Sequence, residues 1–338
     1  MKPFRISDCE FRICPTVILI ITLGIGFLAA PPSVDAQPTG KVYRIGILEA
    51  IPAAQNRANL DAFRKGLREL GYIEGENLTI EYRSADGRAE RFPDLASELV
   101  RLKVDLIVTR GTPATRAAKD ATGTIPVVMA TMGEPHPIVA SFAHPGGNIT
   151  GVTTFSTELI GKRIELLKEL APSFSRMALL HNMGNPAAAP EWEETKTAAR
   201  SLGLQAELLD VRRDEHLGRA FELAVRQHVD ALVIGADGLT QMHQQTIVNL
   251  AARNKLPAAY PAREFVEAGG LMAYAVNYPD LYFRFARFVD KIFKGAKPAD
   301  LPVEQPTRFE LVINLKSAKA LGLTIPQSVL IRADEVVQ

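Results

Sequence analysis

From Lys41 onward, short runs rich in β-branched residues alternate with amphipathic stretches of helical periodicity. The first series contains the strand-like runs "YRIGIL", "LTIEYR", "VDLIVT" and "IPVVMA". The first two precede helical segments near 57–70 and 89–102, and the third precedes a helix that opens at Thr112 and Pro113. Strands that alternate with helices in this way predict a parallel sheet covered by helices on both faces. The chain therefore belongs to the α/β class, and the predicted architecture is doubly wound.

The alternation starts again after the loop "HPGGNITG", which indicates a second lobe of the same class. The 338 residues, 47% of them hydrophobic, are enough for two buried cores. We predict one lobe over residues 41–152 plus about 278–300, and another over 153–277 plus about 301–338. The tail is expected to pass back between the lobes, so that a multi-stranded hinge joins two doubly wound parallel sheets.

The first 36 residues have the pattern of an export signal. Basic residues precede the apolar run from Val17 to Ala30, and small residues stand at Val34 and Ala36 before Gln37. The pattern predicts a signal peptide over residues 1–36 that is cleaved after Ala36, with a periplasmic mature protein. The run is shorter than the roughly 20 residues that span a bilayer. Retention as an N-terminal anchor is the alternative.

Composition and missing motifs exclude several functional classes. The net charge is +1 with basic and acidic residues interspersed, so we expect no nucleic-acid partner. Both cysteines, Cys9 and Cys14, precede the apolar run, and the mature chain would contain no disulfide or thiolate site. His136 and His144 have no metal-ligand spacing, and the chain has no nucleophile elbow, P-loop, zincin or dinucleotide motif. We therefore expect no catalytic residues, no metal and no cofactor.

The stretch "LIVTRGTPATRAAK" is the strongest local candidate for a binding site. A buried strand ends at Thr109, and Thr112 is expected to cap a helix that carries Pro113 in its first turn. Free amides at such a helix start favour a carboxylate or phosphate, and Gly111 permits close approach of the backbone. A capped helix without any ligand is the simpler alternative.

Further candidates follow other strands, because ligands of α/β proteins bind at the carboxyl ends of parallel strands. A cleft between two such lobes can close on a small molecule. Some candidates have a structural alternative: Glu49 as an exposed loop acid, Glu134 as a helix cap and Tyr260 as lobe packing, while Asn185 is expected to be an N-cap rather than a ligand contact. The predicted ligand-binding residues are Glu49, Gly111, Thr112, Thr131 and Glu134 in the first lobe and His181, Asn182, Asp237 and Tyr260 in the second.

Several stretches together resemble one family over nearly the whole exported chain. They are "FRKGLRELGYIEGENLTIEYRSADG", "RGTPATRAAK", "HPGGNITGVTTFSTELIGKRIELLKELAP", "PAREFVEAGGLMAYAVN" and "PTRFELVINLKSAKALGLTIPQSVL". The chain is similar to ABC-transporter substrate-binding proteins related to the tryptophan- and tyrosine-binding lipoproteins of bacteria. The resemblance implies a type I periplasmic-binding-protein fold and an anion site at Gly111 and Thr112. Glu134 stands where family members tend to have Asp, and Glu49 where relatives often have a small hydroxyl residue.

The resemblance implies a monomeric binding protein rather than an enzyme. It would capture a small polar solute, such as an amino acid or another carboxylate, and present it to a membrane permease with its ATPase. Two alternatives stay open at this stage. One is an α/β enzyme with an interlobe active site, for which Glu49 and Glu134 are the only acid–base pair to nominate. The other is a ligand sensor for a membrane receptor.

Overall fold

The computed structural model describes residues 41–129, 138–154, 156–306 and 308–338. Its first lobe alternates strands and helices along the chain. The strands are β1 (Tyr43–Glu49), β2 (Leu78–Ser84), β3 (Leu106–Thr109), β4 (Val127–Met129) and β5 (Ile149–Gly151). The helices are α1 (Arg57–Glu69), α2 (Phe92–Arg101), preceded by a short 3₁₀ turn at Ala89–Arg91, and α3 (Thr112–Ala121). All the strand pairs are parallel, in the order β2-β1-β3-β4-β5.

The second lobe continues the alternation. Its strands include β6 (Arg176–His181), β7 (Gln205–Asp210), β8 (Ala231–Ile234), β9 (Ala258–Tyr260) and β10 (Met272–Val276). Its helices include α4 (Ser156–Leu170), α5 (Ala188–Ser201), α6 (His216–Arg226), α7 (Gly238–Met242), α8 (Gln244–Arg253) and α9 (Arg263–Glu267). After β10 follow α10 (Tyr278–Phe293), a 3₁₀ turn at Pro298–Asp300, β11 (Phe309–Asn314), α11 (Leu315–Ala320), α12 (Gln327–Leu330) and β12 (Glu335–Val337). The two α/β lobes expected from the sequence are confirmed.

The second sheet has the order β12-β11-β10-β9-β8-β6-β7 and is mixed rather than purely parallel. Strand β11 runs antiparallel to β10, and β12 runs parallel to β11. The chain leaves the end of β10, contributes α10 to the first lobe, and returns to the second lobe at β11. Because the chain leaves the sheet at the carboxyl end of β10 and re-enters at the same end, β11 must run opposite to β10. The parallel sheet predicted for this lobe is confirmed over β6–β10, whereas β11 and β12 run in the opposite direction.

The helix α10 packs on α1 of the first lobe, although it follows a strand of the second. The two helices approach so closely that a Cβ added at Gly66 would lie 2.5 Å from the carbonyl oxygen of Phe283. Leu60, Phe63 and Leu67 form the buried stripe of α1, and Phe285 and Val289 are buried on α10. This close packing places the first turn of α10 beside the carboxyl ends of the first sheet.

Paired backbone segments join the lobes. Val152 forms a parallel bridge with Glu304, through bonds from the amide of Glu304 to the carbonyl of Gly151 (2.8 Å) and from the amide of Thr153 to the carbonyl of Glu304 (3.0 Å). The direct step from β10 to α10 is a further crossing. The connection is therefore the multi-stranded hinge that the sequence predicts.

No helix within the described part of the chain is both long enough and apolar enough to span a membrane.

Candidate functional site

A cleft lies where the carboxyl ends of the two sheets face each other. In both sheets the strand order reverses at one point, between β1 and β3 in the first lobe and between β6 and β8 in the second. Such switch points are where open α/β sheets bind ligands, because adjacent loops diverge there. The first lobe lines the cleft with Ala50, Phe92 and residues 110–113, and the second lobe with Asn185, Asp237, Ala262 and Phe265. Tyr278 lines it where the chain passes from one lobe to the other.

Arg110 is the cationic group of the first wall. It follows β3 directly and is only 7% exposed, and its guanidinium lies over the ring of Tyr278 at 4.1 Å from the centroid. Among the residues that the structure describes, its buried Nη1 has no hydrogen-bond partner. Burial lowers the pKa of Arg110, but Glu49, Tyr282, Tyr278 and Glu264 together raise it above its ordinary value, so the guanidinium stays charged. A buried cation with an unused donor is suited to bind a carboxylate.

The turn that follows Arg110 corrects one prediction. Gly111, at φ 85° and ψ 155°, is the N-cap of α3, and Thr112 is already the first helical residue, with Pro113 second. Glycine takes this position because a side chain rarely adopts a positive φ. No side chain caps the helix, so Thr112 is not the N-cap expected from the sequence. Gly111, Thr112 and Pro113 nevertheless line the cleft beside Arg110, so the start of α3 lies where an anion site requires it.

Glu49 lies behind this wall and does not line it. Its side chain is completely buried and accepts hydrogen bonds from Asn56 Nδ2 (3.1 Å), from the amide of Ala50 (3.2 Å) and from the hydroxyl of Tyr282. Burial raises the pKa of Glu49, and the charge of Arg110 and these hydrogen bonds offset part of that rise. The structure therefore corrects the expected loop position of Glu49 and makes it a neighbour of Arg110.

In the second lobe, His181 belongs to a buried polar cluster. Its Nε2 lies 3.0 Å from Glu191, whose other oxygen accepts from Ser156 Oγ at 2.5 Å, while its Nδ1 accepts from the amide of Asn182 at 2.8 Å. Burial lowers the pKa of His181, but the Glu191 carboxylate raises it overall. His181 thus supports the wall from inside.

Asp237 joins the loops that follow β6 and β8. Its Oδ1 accepts from the amide of Leu239 (2.8 Å) and from Asn182 Nδ2 (3.3 Å), and its Oδ2 accepts from Asn185 Nδ2 (2.8 Å). Asn185 also accepts from the amide of Ala187 at 3.0 Å, but Ala187 is the N-cap of α5 and no side chain caps that helix, so the N-cap role expected for Asn185 is wrong. Asp237 and Asn185 both line the cleft, and they give the second wall a fixed carboxylate.

The predicted residues thus divide into two groups. Gly111, Thr112 and Asp237 line the cleft, whereas Glu49, His181, Asn182 and Tyr260 lie behind it. Tyr260 is 1% exposed and stacks on Phe265, with ring centroids 5.1 Å apart. Its place in the core corrects the expectation of a ligand contact, since Phe265 stands between it and the cleft. Thr131 and Glu134 fall outside the described residues.

Sequence reasoning did not identify Phe92, Phe265 and Tyr278 as site residues. Each of these side chains belongs to a helix whose position depends on the packing of the whole lobe. No local sequence motif marks them as site residues. Arg110 was not among the predicted ligand-binding residues either, although its place directly after a buried strand was a usable signal. Among the described residues, no group of three or more His, Cys, Asp or Glu side chains is arranged to hold a metal ion.

Two α/β lobes, hinged over a cleft with a cation on one wall and a carboxylate on the other, define a class of ligand-binding proteins. The family model described as ABC transporter substrate binding protein matches residues 44–337, and the chain belongs to this family. The function predicted from the resemblance, a substrate-binding component of an ABC importer, is confirmed at this level. Members of the family are binding proteins that work with ABC transporters outside the cytoplasm.

Three relatives illustrate the likeness. The tyrosine-binding protein of Clostridioides difficile (strain R20291) is 25% identical over 285 residues, which cover 84% of this chain and 82% of that protein. The structure of an ABC domain in complex with L-Trp from Streptococcus pneumonia is 29% identical, covers 87% of this chain and 99% of its own, and has a TM-score of 0.81. The ligand-free, open structure of a substrate-binding protein with adhesive properties from Clostridium difficile is 25% identical and covers 88% and 100%, with a TM-score of 0.63.

Proposed function

We propose that this protein captures an aromatic amino acid or a closely similar carboxylate in the interlobe cleft and presents it to a membrane permease with its ATPase. One observation carries the proposal: the buried Nη1 of Arg110 has no partner among the described residues and stands beside the first turn of α3. A ligand carboxylate would supply the missing acceptor and meet the amides of that turn.

The opposite wall offers groups for a ligand ammonium. Asp237 lines the cleft, and the negative charge of Glu264 is near enough to raise the pKa of Arg110. Among the described residues, the buried Oε2 of Glu264 has no hydrogen-bond partner. A cation on one wall and carboxylates on the other match the charges of a zwitterion. The chemistry of an α-amino acid therefore fits both walls.

Aromatic surface lies between these charged ends. Phe92 of α2 and Phe265 of α9 line the cleft from opposite lobes, and Tyr278 closes one end beneath Arg110. Aromatic rings bury large areas and pair favourably with one another. Relatives are named for tyrosine or contain L-Trp. These observations together favour an aromatic side chain on the ligand.

The mechanism is a population shift toward closed lobes. The lobes already touch across the cleft mouth, since a Cβ added at Gly238 would lie 2.5 Å from Cβ of Ala50, and one at Gly87 would lie 3.0 Å from Cβ of Met242. The TM-score is 0.81 against the L-Trp complex and 0.63 against the open structure, at similar identities. These values support a closed arrangement that a ligand bridging Arg110 and Asp237 would stabilise.

Calorimetric titration with L-tryptophan and L-tyrosine tests the proposal. Arg110→Gln should weaken binding on the order of 10- to 100-fold, because hydrogen bonds to charged groups contribute about 1.5–3 kcal/mol. Arg116→Gln is the matched control: it removes the same charge from an exposed position of α3 and should leave affinity unchanged. Equal affinities of the two variants would disprove the assigned anion site. Recovery of the ligand unchanged after long incubation distinguishes binding from the enzyme alternative.

Transport and location are part of the same proposal. The family and the basic, apolar start of the chain support export with cleavage after Ala36. N-terminal sequencing of the native protein should begin at Gln37, and cytoplasmic material with Met1 intact would end the export proposal. Uptake of labelled ligand by vesicles that contain the permease and its ATPase, with and without this monomeric protein, distinguishes transport from the sensor alternative.

A further inference from the structure

The carboxylate of Glu49 is a charged group without access to solvent or to the ligand. Its two oxygens accept from Asn56, from the amide of Ala50 and from Tyr282, and each of these described partners is a donor. Donors stabilise the ionised form of a carboxylate against the cost of burial. Because every described partner of this completely buried side chain is a donor, its surroundings favour the ionised carboxylate and oppose the rise in pKa that burial causes.

Glu49 and Arg110 follow adjacent strands of the first sheet, and one helix holds both. Strand β1 ends at Glu49, and β3, its neighbour, ends one residue before Arg110. On α10, Tyr278 lies under the Arg110 guanidinium, and Tyr282, one turn later, donates to Glu49. Tyr278 and Tyr282 share a face of the helix because they are four residues apart. The pair is thus fixed from three elements at once.

We propose that Glu49 is a positioning residue that balances the charge of Arg110, so that the cleft selects ligands whose carboxylate is accompanied by an ammonium group and rejects otherwise identical net anions. The inference rests on the proposed function, because it refines the class of carboxylate that the cleft accepts. Glu49 does not touch the ligand and acts through Arg110.

The charges around the cleft carry the argument. Arg110 supplies one positive charge and Glu49 one negative charge behind it. Asp237 lines the opposite wall, and Glu264 is near enough for its negative charge to raise the pKa of Arg110. These three carboxylates outnumber the single positive charge of Arg110. A net anion is attracted by Arg110 but repelled by three carboxylates, and such interactions are strong where water is excluded. A zwitterion brings its own positive charge to the second wall.

Removal of Glu49 would leave Arg110 unbalanced. The cleft would then attract any carboxylate more strongly, with or without an ammonium group. A purely structural role predicts a different outcome: both kinds of ligand would lose affinity in the same proportion. The ratio of the two affinities therefore distinguishes charge balance from simple support of the wall.

The test compares L-tryptophan with indole-3-propionate, which has the same skeleton without the ammonium group. Wild-type protein should prefer L-tryptophan, and Glu49→Gln should reduce that preference on the order of tenfold, mainly by a gain for indole-3-propionate. Glu49→Asp keeps the charge and should keep most of the preference. Tyr82→Phe is the control, because Tyr82 donates to the carbonyl of Ile51 (2.6 Å) beside Glu49 but carries no charge. An unchanged ratio in Glu49→Gln would overturn the inference.

Failure of the proposed function has a separate signature. If wild-type protein binds neither indole compound, the aromatic ligand is wrong, and acetate and glycine replace the two probes in thermal-shift titrations of the same variants. Glu49→Gln should then respond to acetate at lower concentration than the wild type, with a smaller change for glycine. Identical responses of Glu49→Gln and wild type to acetate would overturn the charge balance itself.

Discussion

Gly238→Ala should hold the lobes apart without disturbing either one. Gly238 is the first residue of α7 in the second lobe, and a Cβ there would lie 2.5 Å from the Cβ of Ala50 in the first. Apart from Ala50, no other described residue lies within 4 Å of this position outside its immediate chain neighbours. Its φ lies outside the left-handed region, so alanine meets no backbone strain. The clash therefore falls only between the lobes.

The size of the effect follows from overpacking. An extra methyl group in a tightly packed contact costs about 1–3 kcal/mol. If the contact exists only in the closed form, that cost appears in ligand affinity, as a roughly 5- to 150-fold weaker dissociation constant. The unliganded protein should not lose stability, because alanine is favoured over glycine in a helix by about 0.5–1 kcal/mol.

A double-mutant cycle tests whether the affinity loss comes from the contact between positions 50 and 238. Ala50→Gly removes the opposing Cβ, and the nearest atom to the new side chain at 238 becomes the Cα of residue 50, at 3.8 Å. That is an ordinary contact, so the double variant should recover most of the affinity lost in Gly238→Ala. Calorimetry with L-tryptophan gives the affinities, and small-angle scattering gives the radius of gyration with ligand. Full affinity and unchanged closure in Gly238→Ala alone would refute the closed contact.

Three further predictions concern stability and the anion site. Gly66→Ala should reduce the free energy of urea unfolding by about 1–3 kcal/mol, because its Cβ would meet the backbone of Phe283, while folded protein keeps its affinity. Glu191→Gln should cost about 3–5 kcal/mol near pH 6, because it breaks a buried pair with His181. The pKa of His181 is raised in the folded state, so the pair stabilises the fold fully below pH 6.5 and less as the pH rises through that raised pKa. If Glu191→Gln lost the same unfolding free energy at every pH from 5 to 9, the pairing would be contradicted. Thr112→Ala should weaken L-tryptophan binding with little change in melting temperature, since Gly111 and not Thr112 caps the helix, and a large fall in melting temperature would contradict that assignment.

The periodicity of the sequence was sufficient for most of the fold. Helices predicted near 57–70 and 89–102 lie at Arg57–Glu69 and Phe92–Arg101, because a continuous apolar stripe marks each of them. Strand β12 was not predicted, since three residues show no period. The direction of β11 was also inaccessible, because it depends on where the chain re-enters the lobe and not on the residues of the strand.

The site was predictable only where a local rule applies. Gly111, Thr112 and Asp237 come directly after strands or open helices, and strand ends at switch points form clefts. Tyr260 and His181 satisfy the same rule, yet both are buried behind the wall. The difference depends on which way each side chain leaves the end of its strand, and that is decided by neighbours such as Phe265 and Glu191 that are distant in sequence.

The burial of Glu49 could not be predicted from the sequence pattern, yet its position in the structure is the most informative feature of the site. In the sequence it is one acid in a loop, and exposure is the simplest expectation because a buried carboxylate costs several kcal/mol unless it is compensated. The structure supplies that compensation from Asn56, Ala50 and Tyr282, with Arg110 beside it. Three donors around one buried carboxylate favour its ionised form where it lies. Arg110 lines the cleft and Glu49 does not, so the proposed charge balance reaches the ligand only through Arg110.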